Sequence, residues 1–119
     1  MQIVEQTISI EQLKEIAQHR ELANGKWATM SLCEQMANIG SECSRLVKWL
    51  TKNNSALAES TFYRLLELID LTIKQKIRSS ALKEICRLRE NICASYLERN
   101  IDDLAGLNTY FFHFAIARC

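Results

Sequence analysis

The sequence predicts an all-α fold, an up-and-down bundle of four to five antiparallel helices in a single domain covering residues 1–119. Three observations predict it. Apolar residues recur at spacings of 4, 3, 4, 3 and 4, the repeat of one long helix that packs against other helices. The chain of 119 residues contains no proline, so nothing in the sequence forces a break within a helix. Short polar segments separate the apolar stretches, and short connections join antiparallel neighbours.

The first predicted helix runs from about Ser9 to Leu22, where apolar side chains recur with helical spacing. Ser9 and Gln12 form a predicted capping box at its start. Gly25 is expected to end this segment, because glycine readily adopts the left-handed conformation that terminates helices.

The second predicted helix begins at residues 29–31, where Ser31 and Glu34 form a capping box, and it ends near Lys52. It carries the heptad repeat. The apolar residues of this heptad seam are Leu32, Met36, Ile39, Cys43, Leu46 and Leu50. Ala37 and Gly40 lie beside the seam. Glycine within a helix costs about 1 kcal/mol relative to alanine, so these small residues predict the close approach of a neighbouring helix or ligand.

Three more helices are predicted after the polar turn at residues 52–55. The fourth is capped by Ser79 or Ser80, and Asn100 with Asp103 caps a last, short helix that Gly106 interrupts. Apolar residues expected to face the core from the third and fourth helices are Phe62, Leu65, Leu66, Ile69, Ile73, Leu82, Ile85, Cys86, Ile92, Cys93, Tyr96 and Leu97.

The composition restricts the classes of function. Fifteen basic and 14 acidic residues give a net charge of +1, so only a local patch could attract nucleic acid or an anionic membrane. No segment reaches the about 20 apolar residues of a membrane span. The first twelve residues lack the basic and apolar regions of a signal peptide, which predicts a cytoplasmic protein with no membrane partner. The five cysteines are therefore expected to be reduced thiols.

No pattern of catalytic or metal-ligating residues is visible. Cys86 and Cys93 lack the close pairing of structural zinc ligands, and the Glu15 and His19 pair is not repeated on a second helix. We therefore predict no catalytic residue, no metal and no cofactor. The alternative is a small helical hydrolase or nuclease, or a toxin–antitoxin component, that uses His19, Glu15 or a cysteine. The arginine that HEPN ribonucleases carry four to six residues before a histidine is missing before both histidines.

Two local clusters of basic residues are the candidates for nucleic-acid contact. One cluster, Lys74, Lys76 and Arg78, lies at the junction of the third and fourth helices. This junction is expected to lie at the same end of the bundle as Lys26 and Trp27. The second cluster, Arg45, Lys48 and Lys52, lies at the opposite end. The candidate residues are Lys26, Arg45, Lys48, Lys52, Lys74, Lys76, Arg78, Lys83 and Arg87. The alternative is an ordinary solvated surface, since Glu84, Glu90 and Glu98 lie among them.

The last ten residues are unusually rich in apolar side chains. Phe111, Phe112, Phe114 and Ile116 are expected to be at least partly buried, either because the segment closes the bundle or because it packs against a second subunit. This surface is our candidate interface of a homo-oligomer. His113 interrupts the apolar set and is expected to face solvent or to form a hydrogen bond.

The segment from Ser31 to Arg45 resembles the central segment of the four-helix-bundle family of 23S rRNA intervening-sequence proteins, which includes the accessory variability determinants of retroelements. Asn38, Ile39, Glu42 and Arg45 stand in an order similar to the Asn-Ile-Ala-Glu-Gly-like segment of that family, although Gly40 precedes the glutamate. The resemblance covers less than half of the chain. It implies a ring-forming bundle whose basic surfaces contact RNA or DNA, or a reverse-transcriptase or nuclease partner.

Together these observations predict a non-enzymatic accessory or interaction protein. It is expected to self-associate and to contact nucleic acid, or an enzyme that acts on nucleic acid, through its basic patches.

Overall fold

The computed structural model describes residues 10, 25–75 and 79–118, without the side chains at positions 115, 117 and 118. This part of the chain is all helical and contains no strand, which confirms the predicted fold class. Its helices are α1 (Trp27–Thr29), α2 (Leu32–Thr51), α3 (Ser55–Ile73), α4 (Ser79–Leu97) and α5 (Ile101–Arg118). The predicted first helix lies outside the described residues, except for Ile10, which is helical and exposed.

Side-chain caps begin three of the long helices. The Ser31 hydroxyl accepts a hydrogen bond from the Glu34 backbone N–H at 3.1 Å, as predicted for α2. Asn54 caps α3 in the same way. At the start of α5 the Asn100 side chain accepts from the Asp103 N–H at 3.1 Å, which confirms that predicted cap. These caps satisfy backbone donors that have no partner within their helices.

The prediction of a short, interrupted last helix is wrong, because α5 continues through Gly106 for 18 residues. Gly106 is exposed, and a Cβ atom added there would meet nothing within 4 Å. Buried side chains before and after it, Leu104 and Phe114, hold the helix against the bundle. Tertiary packing therefore outweighs the about 1 kcal/mol propensity cost of the glycine.

Helix α2 is the central element, because it packs along both α3 and α5, while α4 contacts α3 and α5 on the other side. Short turns join α2 to α3 and α4 to α5, and residues of the two turns line one cavity at the same end of the bundle. Asn53 and Arg99 take left-handed backbone conformations in these turns, with φ of 57° and 55°. Antiparallel neighbours joined by tight turns form the predicted up-and-down arrangement.

The heptad seam forms the centre of the core. Met36, Ile39, Cys43, Leu46 and Leu50 are buried, and Leu32 is half-buried at the start of the helix. The other helices bury Phe62, Leu65, Ile69, Ile85, Ile92 and Tyr96 against it. The predicted inward position of Leu97 is wrong, since that side chain is 77% exposed. Leu97 follows Ile92 by five residues and therefore lies about 140° around the helix from it.

Close packing of α2 against α5 explains the glycine in the middle of α2. A Cβ atom added to Gly40 would lie 3.0 Å from Cγ of Phe111, closer than ordinary van der Waals contact. Gly40 is buried, whereas Ala37 is exposed at the edge of this contact. The predicted close approach of a neighbouring helix is confirmed at Gly40.

Trp27 fixes the segment before α2 to the far end of α3. Its indole N–H donates to the Thr72 hydroxyl at 3.0 Å, and its backbone oxygen accepts from the Gln35 side chain at 2.8 Å. All three side chains are buried. These bonds place Trp27, and Lys26 next to it, at the same end of the bundle as the α3–α4 junction, as predicted.

Candidate functional site

The candidate basic residues are divided between both ends of the bundle and one groove along it. Lys26 and Lys74 are exposed near the α3–α4 junction. Lys76 and Arg78 lie outside the described residues. The remaining five residues lie on α2, directly after it at Lys52, and on α4, and they occupy three different environments.

Lys83 and Arg87 lie one helical turn apart and line a groove between α4 and α5 of about 550 Å³. Leu88, Leu107 and the Tyr110 ring give the groove an apolar wall, and Asn91 extends its polar edge. The Tyr110 hydroxyl donates to Glu84 Oε1 at 2.9 Å, which fixes the ring. Two exposed cations beside an aromatic and apolar wall are suited to contact a phosphate and a flat base together.

Arg45 lies on α2 beside a carboxylate that also binds an arginine of α3. It lies 3.3 Å from Glu42, and Glu42 also accepts from the guanidinium of Arg64 on α3. The side chains of Arg64 and Glu42 are only 10% and 14% exposed. Because the Glu42 carboxylate contacts guanidinium groups from both helices, it joins α2 to α3.

Lys48 and Lys52 cover the ring of Trp49. Their ammonium nitrogens lie 4.7 and 5.9 Å from the ring centroid. A similar stack occurs nearby, where the Arg99 guanidinium carbon lies 4.4 Å from the Tyr96 ring centroid. Such cation–π contacts hold long side chains in place while leaving their charge at the surface. Sequence reasoning missed Trp49 and Arg99, although a tryptophan between two lysines was a visible signal.

Helix α5 closes the bundle with one face and exposes apolar side chains on the other. Phe114 is 5% exposed and Phe111 is half-buried against Gly40. Phe112 and Ile116 are 63% and 67% exposed within the single chain. Phe114 is therefore buried within the single chain, as one of the two predicted alternatives has it, and Phe112 and Ile116 are the exposed members of the candidate interface.

A shallow groove of about 360 Å³ lies beside this exposed pair, between α2 and α5. Small side chains form the α2 side of the groove, at Ala37, Ser41 and Ser44. The Ser44 hydroxyl donates to Asn108 Oδ1 at 2.8 Å and joins the two helices. The groove offers space for an apolar side chain next to Phe112.

The structure describes only some of the residues that were weighed for catalysis or metal binding. Glu15 and His19 lie outside it, and His113 is exposed, in agreement with its prediction. Among the residues that the structure describes, no three His, Cys, Asp or Glu side chains are close enough to hold a metal ion.

The cysteines occupy different environments. Burial raises the pKa of the Cys43 thiol to about 11. Cys86 and Cys93 are half-buried free thiols on α4. Cys33 is disulfide-bonded. The expectation of reduced thiols is therefore wrong for Cys33.

None of the helices in the described ranges has the length and apolar character needed to cross a membrane. Comparisons of the chain with protein-family models, with curated proteins and with solved structures found no match. The resemblance to the 23S rRNA intervening-sequence family therefore stays a prediction.

Proposed function

We propose that this chain is a non-enzymatic interaction protein that self-associates through the outer face of α5. The observation that carries the proposal is the exposure of Phe112 and Ile116, four residues apart on one face of a helix whose other face is buried. Large apolar side chains that lie together at the surface favour contact with another protein. The groove between α2 and α5 supports the same proposal, because a Phe112 side chain from a second copy would find space there.

The expected association is weak. Burial of each side chain contributes about 1.5–3 kcal/mol, and the loss of translational and rotational freedom offsets a large part of that gain. A two-fold arrangement would use each contact twice and is the commonest symmetry of homo-oligomers. We therefore expect a monomer–dimer equilibrium that depends on protein concentration in the micromolar to millimolar range.

Sedimentation equilibrium over a range of protein concentrations tests this proposal. The double variant Phe112→Ser with Ile116→Ser should lose the concentration-dependent increase in mass. Its matched control carries Tyr63→Ser with Leu97→Ser, which removes two exposed apolar side chains from other helices and should leave association unchanged. Equal masses for the wild type and the Phe112 and Ile116 variant at every concentration would reject the proposal.

Nucleic-acid contact through the α4–α5 groove is a second candidate function. Lys83 and Arg87 are exposed beside the fixed Tyr110 ring, and among the described residues that line the groove they outnumber the one carboxylate, Glu84. A single strand would place phosphates against the two cations and a base against the apolar wall. Such binding weakens with salt by about 0.7 log units per log unit of salt for each phosphate contacted.

Fluorescence anisotropy with a labelled single-stranded RNA or DNA separates this candidate from self-association alone. Lys83→Gln with Arg87→Gln should weaken binding and reduce the salt slope by about 1.4, from two phosphate contacts. Lys26→Gln with Lys74→Gln removes the same charge outside the groove and serves as the control. An equal loss in both double variants would reject a specific role for the groove.

A further inference from the structure

A small cavity lies where the α2–α3 turn and the α4–α5 turn meet, at the end of the bundle away from Trp27. Its volume is about 210 Å³. Trp49, Leu50 and Ile101 form an apolar floor, and polar side chains from the two turns form the rim. The polar residues of the rim are Asn53, Asn54, Ser55 and Arg99.

The rim is rich in hydrogen-bond donors, and none of the described residues that line it is a carboxylate. Arg99 offers its guanidinium, Ser55 its hydroxyl and Asn53 its amide, while the Asn54 side chain is engaged in capping α3. Glu98, Asp102 and Asp103 are close in sequence but do not line the cavity, and Asp103 is hydrogen-bonded to Asn100. This chemistry selects against cations and favours an anionic ligand.

Arg99 is held in position before any ligand arrives. Its guanidinium stacks on the Tyr96 ring at 4.4 Å and donates to the Tyr96 backbone oxygen at 3.3 Å. These contacts reduce the conformational freedom that the side chain would lose on binding. A planar guanidinium is also the group best matched to two oxygens of one phosphate.

Lys48 and Lys52 bring positive charge close to Trp49 at the floor of the cavity. The ammonium groups of Lys48 and Lys52 lie 4.7 and 5.9 Å from its ring centroid, within the Debye length of about 8 Å at physiological salt. The Trp49 indole N–H is buried and has no acceptor among the residues that the structure describes. A donor that is excluded from water without an acceptor is unfavourable, and a ligand oxygen beside it would lower that cost.

We infer that this cavity binds an oxyanion of the phosphate class, either free phosphate or the terminal phosphate of a larger molecule. Arg99 is the principal ligand, Ser55 and Asn53 add hydrogen bonds, and Lys48 and Lys52 supply long-range attraction. The inference goes beyond the proposed function and does not depend on self-association or on the α4–α5 groove.

The two tryptophans of the chain permit a direct test by NMR. In a ¹⁵N-labelled sample, the Trp49 indole N–H resonance should shift on titration with inorganic phosphate at constant ionic strength. The Trp27 indole, hydrogen-bonded to Thr72 at the other end of the bundle, should stay in place and is the internal control. An unmoved Trp49 resonance, or the same shift with added chloride, would overturn the inference.

Single variants then identify the side chain that binds the phosphate. Arg99→Gln should raise the Kd for phosphate at least about tenfold, because a hydrogen-bonded charge is lost. Lys74→Gln removes one exposed charge at the other end of the bundle and should leave the Kd unchanged, and an unshifted Trp27 resonance verifies the fold of each variant. If Arg99→Gln binds phosphate as tightly as the wild type, the cavity is not the site. Oligonucleotides with and without a 5′-phosphate distinguish a nucleic-acid end from free phosphate as the source of the anion.

Discussion

Helices α2 and α5 pack against each other, but they distribute their apolar side chains differently. The heptad seam of α2 faces inward along its length, and exposed positions such as Glu34, Ser41 and Lys48 are polar. Helix α5 buries Leu104 and Phe114 yet exposes Phe112 and Ile116. The heptad seam of α2 is therefore buried within one chain, whereas the apolar side chains of α5 are buried on only one of its faces. Changes in α2 should therefore alter folding, and changes on the outer face of α5 should alter association.

Removal of residues 109–119 should have the largest effect. The truncation deletes the buried Phe114 and the half-buried Tyr110 and Phe111. At about 1.5–3 kcal/mol for each side chain, the total of about 5 kcal/mol approaches the whole stability of a small domain. Thermal melts should show a large loss of cooperative unfolding. Phe112→Ser with Ile116→Ser changes the same segment only on its outer face and should melt like a wild-type monomer. Equal melting points for the truncated and intact chains would contradict the packing described for α5.

A matched pair of isoleucines compares the two helices directly. Ile39 in the seam is fully buried, and Ile116 on α5 is 67% exposed. Ile39→Ala should lower the free energy of unfolding by about 3 kcal/mol, because it removes buried methyl groups and leaves a cavity. Ile116→Ala should change it by less than about 0.5 kcal/mol. Urea denaturation at low protein concentration measures both, and similar losses would show that the two helices do not differ in this way.

Cys43 makes the stability of the seam sensitive to alkaline pH. Burial raises the pKa of this thiol from 9.0 to about 11, so the folded state holds the proton more tightly than the unfolded state. Stability should therefore be fully present below pH 9 and should fall by about 2 kcal/mol as the pH rises towards 11. Denaturation of Cys43→Ala should show a weaker pH dependence over this window, whereas Cys93→Ala on α4 should keep it. An unchanged slope in Cys43→Ala would exclude the buried thiol as the cause.

Substitution of the two helical glycines by alanine should give the smallest changes in the free energy of unfolding, and these changes should have opposite signs. Gly40→Ala gains helix propensity but places a Cβ atom 3.0 Å from Phe111 Cγ, close to the backbone of α5 where little can move. We expect a net loss of about 1 kcal/mol. Gly106→Ala meets no neighbour and should gain about 0.5–1 kcal/mol. Both values come from the same urea titrations. Stabilisation by both substitutions would mean that α2 and α5 are less tightly packed at Gly40.

The heptad seam and the caps at Ser31 and Asn100 could be predicted because they depend on residues close together in the chain. The roles of Arg45 and Trp27 could not, since they are set by Arg64 and Thr72, which are distant in sequence. The sequence also did not predict which face of α5 is buried. Apolar residues occupy nearly every position near its end, so their periodicity does not distinguish a buried face from an exposed one. The phosphate cavity combines two turns that only the folded chain brings together.

The central claim is that the outer face of α5 contacts a second copy of the chain. Photo-crosslinking tests it most directly, with p-benzoyl-phenylalanine in place of Phe112 and, as a control, in place of Tyr63, which is 58% exposed on α3. We expect a crosslinked dimer from position 112 that increases with protein concentration, and none from position 63. No dimer from position 112, or equal amounts from both positions, would contradict it.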